Sequence, residues 1–158
     1  DDRSHTQEDN DMAAATYDIK ALCGGTNRSQ SARQFTWRWR VSAPDIAAGV
    51  GAGAGESAEF CMLPLDCVVT RVDALLRTAE GATQTIDIGD ETDPDGWLDG
   101  GNANGTADAL IAKAGTEAYG GGKHYAAKTG LRMTFVNACD AAEVDVIVAG
   151  YMVDDTDT

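Results

Sequence analysis

The run Phe35-Thr-Trp-Arg-Trp-Arg-Val41 alternates apolar and polar side chains without a break. Period two is the repeat of a strand. It sets Phe35, Trp37, Trp39 and Val41 on one face and Arg38 and Arg40 on the other. Further short runs of strand character follow. Glu59 to Leu63 is stopped by Pro64, and Gln84 to Ile88 ends at Gly89. Cys67 to Thr78 alternates as well. Strict alternation puts Val69, Arg71, Asp73, Leu75 and Arg77 on one face and Val68, Thr70, Val72, Ala74 and Leu76 on the other. Leu131 to Val136 and the β-branched run Val144 to Val153 complete the set.

Turn chemistry separates these runs: a Gly/Ala stretch at Gly49 to Gly55, an Asp/Gly stretch at Gly89 to Gly101, and Gly120-Gly121-Gly122. Thr106 to Ala114 has helical character, with Leu110 and Ile111 as a small apolar face, and is too short to cover a sheet. Many short strands with Gly-rich turns predict an all-β protein. The expected fold is an antiparallel, jelly-roll-like β-sandwich with one short helix at most. The expected organisation is a flexible polar arm at 1–16, one sandwich at 17–153 and an acidic tail at 154–158. No internal repeat at a fixed period is present.

The chain has 158 residues, 43% of them hydrophobic, which suits one core. Its net charge is −14. That sign argues against a general nucleic-acid or anionic-membrane binder. No apolar run approaches the roughly 20 residues that span a bilayer, and no charged-then-apolar leader opens the sequence. Asp outnumbers Glu 19 to 7, and Arg outnumbers Lys 8 to 4. This style resembles that of proteins from extreme halophiles, where short carboxylates hold water and cations while molar salt screens their repulsion.

The most specific local feature runs from Asp87 to Asp99. Counted from Glu91, acids fall at positions 1, 3, 5 and 9, with Gly96 at 6. That half-matches a calcium loop, although position 12 is Asn102 and supplies no bidentate carboxylate. Asp90, Glu91, Asp93, Asp95 and Asp99 are therefore candidate ligands for Ca²⁺, Mg²⁺ or Na⁺. The alternative is an Asp-rich turn capping its own backbone. No cofactor is required.

Cys23, Cys61, Cys67 and Cys139 show no C-x-x-C spacing, and His5 and His124 no ligand spacing, so zinc is not expected. The last three cysteines sit in or beside apolar strands and read as small buried hydrophobes. There is no G-x-S-x-G and no P-loop lysine, and no catalytic residue is assigned. Against the acidic background, Arg28, Arg33, Arg38 and Arg40 crowd 13 residues. Arginine suits paired contacts with carboxylates, which makes these four candidates for an acidic partner surface. A strand with a basic solvent face is the alternative.

A family resemblance is carried, in order, by Val68 to Arg77, Thr85-Ile-Asp-Ile-Gly-Asp90 and Thr92-Asp-Pro-Asp-Gly-Trp-Leu-Asp99, then Gly121-Gly-Lys-His-Tyr-Ala-Ala127, the strand at Leu131 to Val136, and Ala142 to Tyr151. Their order resembles that of capsid decoration, or cement, proteins of tailed viruses. The resemblance covers about 68–153; the N-terminal arm and the aromatic strand at 35–41 depart from it. It implies a non-enzymatic β-sandwich, trimeric on the outer capsid surface of the virion, clamping major capsid protein subunits at threefold or quasi-threefold positions. With the salt-adapted composition, the implied host is a haloarchaeon. Phe35, Trp37, Trp39, Val72, Leu76, Ile86, Phe135, Val146 and Val148 are then core or trimer-seam residues. The rival readings are a spike or turret subunit for host attachment, a calcium-dependent carbohydrate-binding sandwich using Trp97 as its loop aromatic, and an enzyme with a carboxylate pair.

Overall fold

A computed structural model describes residues 33–46 and 52–153. The arm at 1–16, the tail at 154–158, Cys23 and Arg28 lie outside the described residues. In chain order the elements are β1 (Arg33–Ser42), α1 (Ala43–Ile46), β2 (Ser57–Leu63), β3 (Cys67–Thr78), β4 (Thr85–Gly89), β5 (Leu98–Asn102), β6 (Ala109–Leu110), β7 (Lys123–Tyr125), β8 (Thr129–Phe135) and β9 (Glu143–Met152).

The strands build two antiparallel sheets. One runs β1-β9-β3, with the far edge of β3 shared by β6 at Leu75 and Leu76 and by β7 at Cys67 to Val69. The other runs β2-β8-β4-β5. The chain changes sheet at nearly every connection; β4–β5 and β6–β7 stay within one. This is the path of a jelly roll, in which two short pieces take the place of one long strand beside β3. The fold expected from the alternation is the fold observed.

The inner faces meet in one core. Val144, Val146 and Val148 of β9 and Val72 and Leu76 of β3 join Ile86, Ile88, Leu131, Met133 and Phe135, all buried. Trp37 and Trp39 are only partly buried. With Phe60 of β2 they line the flank where edge strands β1 and β2 approach.

Two local expectations are corrected. Val69 does not share a face with Arg71, because the register against β9 shifts between them. The extra residue of a bulge resets the phase, so Cys67 and Val69 point inward before it and Val72, Ala74 and Leu76 after it. Thr106 to Ala114 is not helical. Its backbone bonds to β3 instead: Asp108 N–H to the Leu76 carbonyl at 2.6 Å and Ile111 N–H to Ala74 at 2.8 Å. Gly105 and Gly115 bracket too short a run to nucleate a helix, whereas the β3 edge offers partners at once. Leu110 therefore points outward, 64% exposed, while Ile111 is buried. Among the described residues the short helix is α1, which follows β1.

Cys61, Cys67 and Cys139 are buried free thiols. Burial pushes Cys61 up to about 12 and Cys67 and Cys139 to about 11, which keeps them unreactive near neutrality.

Glu80 pins the β3–β4 connection to the β8–β9 connection. One carboxylate oxygen accepts the backbone N–H groups of Asp140 (3.1 Å), Ala141 (2.9 Å) and Ala142 (3.3 Å) and the Cys139 thiol. Those donors, the Ala141 N–H foremost, hold Glu80 at about 2 against burial that pushes it upward. Because the folded value lies below the unfolded one, the stabilisation is complete above about pH 4.5 and disappears as pH falls toward 2. Glu80→Gln is expected to cost about 2–3 kcal/mol at pH 7 and much less near pH 2. Denaturant unfolding of both proteins across that range measures the difference.

Candidate functional site

The β4–β5 loop is built around an inward-turned carboxylate. Gly89 permits the turn: a Cβ there would lie 2.0 Å from the Asp93 carbonyl. The adjacent Asp90 is 1% exposed. One of its oxygens accepts the N–H groups of Thr92 (2.9 Å) and Asp93 (3.1 Å), as an Asx turn does. The other accepts the Lys123 ammonium (2.7 Å) and the Tyr125 hydroxyl (2.9 Å).

The network extends further. Trp97, 1% exposed, donates its indole N–H to the Tyr125 oxygen at 2.9 Å. Lys123 also donates to the Tyr119 hydroxyl (2.5 Å) and stands over the Tyr119 ring, 3.8 Å from its centroid. Tyr119 in turn packs edge-on against Trp97, and its backbone N–H bonds the Gly96 carbonyl at 2.8 Å. Burial pushes Asp90 upward, but Lys123, Tyr125 and the two backbone donors outweigh it and hold the carboxyl below its usual range. Burial likewise opposes the Lys123 charge and is outweighed by Asp90 and Tyr119. Desolvation, above all, pushes the Tyr125 hydroxyl up, so it stays a neutral donor. The arrangement is an ion pair inside an aromatic box, and it ties the β4–β5 loop of one sheet to β7 of the other.

The remaining acids of the loop point elsewhere. Glu91, Asp95 and Asp99 are exposed, and Asp93 is partly so. Asp93 is raised, first through its hydrogen bond with Asp95. Asp87 accepts the Gly100 N–H at 2.8 Å and is raised chiefly by burial. No group of three or more His, Cys, Asp or Glu side chains among the described residues is placed to hold a metal ion. The burial of Trp97 overturns its assignment as an exposed aromatic for sugar stacking: it is a wall of the Asp90 box.

Of the arginines expected to face a partner, Arg38 and Arg40 are engaged with Asp145 of β9. That carboxylate is 1% exposed although it lies on the outer face of its strand, between core-facing Val144 and Val146. Arg40 approaches it at 2.9 and 3.3 Å, Arg38 also binds it, and Arg77 of β3 stands at 3.5 Å. Register explains the meeting, since Arg40 and Leu75 both lie opposite Asp145 on the flanking strands. Burial pushes Asp145 upward, and the arginine hydrogen bonds and charges outweigh it and lower it below its usual range. Arg38 and Arg40 remain about half exposed beyond this pairing. Arg33 opens β1. His124 meets Asp66 at 2.6 Å on the surface.

Sequence reading missed Glu80, Tyr119, Lys123 and Asp145 as organising residues. Lys123 and Tyr125 stood within the Gly121 to Ala127 block without an assigned partner. Asp145 was visible as a lone acid in a β-branched run.

No family model matches the sequence, and no curated protein matches it. Among solved structures, the fold is similar to that of a chain described as "Cyanophage Pam1 capsid asymmetric unit". The TM-score is 0.56 at 18% identity, over 87% of this chain and 98% of the other. At that identity the likeness is one of fold.

Proposed function

We propose that this chain is a structural virion protein, without enzymatic activity, that decorates the outer surface of an icosahedral capsid as a homotrimer. One observation carries the reading: the jelly roll matches nearly the whole length of a chain found in a capsid asymmetric unit, not a module within a larger protein. The sequence supports it independently. Two of the blocks that resemble cement proteins, 85–99 and 121–127, are distant in the chain and meet around Asp90 and Lys123. The proposed partner is the major capsid protein. Arg38 and Arg40 offer their half-exposed guanidinium edges to its carboxylates, and Arg28 and Arg33 extend the same basic segment. The aspartate-rich composition supports a salt-adapted, haloarchaeal setting.

Light scattering and gradient sedimentation test the proposal. At molar NaCl the purified chain is expected as a trimer of about 50 kDa, three copies of 16.5 kDa, and in source material it should travel with particles. Dilution toward 0.01 M salt lengthens screening to about 30 Å and should dissociate the trimer. A monomer at molar salt and tens of micromolar protein contradicts the trimer, and a chain that never sediments with particles contradicts the virion role.

A further inference from the structure

We propose that Asn104 is a site of spontaneous covalent modification, losing its side-chain amide through a succinimide ring closed by the backbone nitrogen of Gly105. The two residues lie in the turn between β5 and β6. Such a ring needs an accessible asparagine side chain, a following N–H that no acceptor holds, and no Cβ to crowd the approach. Asn104 is exposed. Among the described residues nothing accepts the Gly105 N–H, and nothing bonds the Asn104 side chain; only its backbone N–H is engaged, on Asn102. Even a Cβ built on Gly105 would meet nothing nearer than 3.8 Å, so the ring has room to close.

Comparable steps nearby are protected. Gly96, after Asp95, gives its N–H to the Asp93 carbonyl at 3.2 Å, and Gly100, after Asp99, gives its N–H to Asp87 at 2.8 Å. Asn102 precedes Ala103, whose N–H is held by the Gln84 carbonyl at 2.9 Å. Asn137 precedes Ala138, and its side-chain amide donates to the Thr83 carbonyl at 3.4 Å. Breaking such a bond adds to the barrier of ring closure. Asn104–Gly105 is the one Asx–Gly step among the described residues whose N–H is not so held.

The chemistry balances with water as the only co-reactant. The Gly105 nitrogen attacks Asn104 Cγ and the new N–Cγ bond forms. The Cγ–Nδ2 bond breaks, and the amide proton ends on the departing ammonia. Water then opens the ring at either carbonyl, leaving aspartate or a β-linked isoaspartate. Each adds one negative charge to the −14 of the chain. The turn is anchored on both sides: the Ala103 carbonyl accepts the Glu80 N–H at 3.0 Å, and the Asp108 N–H bonds the Leu76 carbonyl at 2.6 Å. The extra main-chain carbon of isoaspartate is therefore confined to the turn.

Peptide mapping by mass spectrometry on the full chain reads the site. Folded protein aged at molar NaCl and mildly alkaline pH is expected to lose the Asn104 amide, while Asn102 and Asn137 keep theirs over the same interval. Part of the product should accept methyl groups from an isoaspartyl carboxyl methyltransferase. Gly105→Ala, whose Cβ meets only ordinary contacts, should fold as the wild type does and lose the conversion over that interval. An Asn104 amide that lasts as long as those of Asn102 and Asn137 overturns the proposal. Loss at the wild-type rate in Gly105→Ala, or a product without isoaspartate, would mean direct hydrolysis without the ring; either overturns it as well.

Discussion

Lys123→Met is expected to lower the unfolding free energy by about 3 kcal/mol at neutral pH, because it strands the buried Asp90 carboxylate without its cation. The Tyr125 hydroxyl and two backbone N–H groups remain on Asp90, which keeps the loss below that of an isolated buried charge. The pH dependence identifies the cause. In the wild type Asp90 is held below its usual value, so its contribution is present above the unfolded pKa and fades as acid protonates it. In the variant burial acts unopposed by the ammonium and moves Asp90 upward from its wild-type position, so the variant's deficit should shrink on acidification. Asp90→Asn added to Lys123→Met should recover a kilocalorie or more, since the orphaned charge is gone. Chemical denaturation of the wild type, of each single variant, Lys123→Met and Asp90→Asn, and of the double variant, with pH varied, checks the cycle. Simple additivity would contradict a coupled pair.

Replacing Arg38 and Arg40 together by serine is the second large effect. Read from sequence, both lie on a polar strand face, offered to a partner or to solvent. Read from structure, they neutralise a carboxylate that is 1% exposed, and their loss leaves it only Arg77 at 3.5 Å. The expected destabilisation is about 2–3 kcal/mol, discounted from the cost of breaking a fully buried pair because Arg77 remains and both guanidinium groups are half exposed. Adding Asp145→Asn should return most of it. That triple variant is also the clean probe of partner binding, since it lacks the guanidinium groups while keeping the fold. Reduced particle occupancy of the triple variant at wild-type stability would assign the capsid contact to these arginines, and unchanged occupancy would place the contact elsewhere.

What the sequence made legible follows from the range of the interactions involved. Alternation is local, so the stretch at 35–41 read correctly as a strand and its inward face was named correctly. A bulge is not local in that sense. Both phases of Cys67 to Thr78 contain enough valine and leucine to pass as the inner face, and pairing with β9 makes the choice. The stretch at 106–114 was misread because its Ala and Leu content favours a helix only when nothing competes, and the unpaired edge of β3 competes. For the site, the loop's importance was legible and its chemistry was not. Composition marks five aspartates and one glutamate between 87 and 99, but which acid turns inward is decided by Lys123, 33 residues further on. Likewise the arginines of β1 looked available because Asp145, their partner, lies more than 100 residues away.

The most direct test of the virion role is a reconstruction of the particle carrying this chain, by electron cryomicroscopy at a resolution that separates strands. The account predicts jelly-roll density on the outer capsid surface, in threes about threefold or quasi-threefold axes. There the β1 face bearing Arg38 and Arg40 should meet carboxylates of the underlying shell. Particles whose outer surface lacks this density, or copies standing singly without threefold contacts, would contradict it.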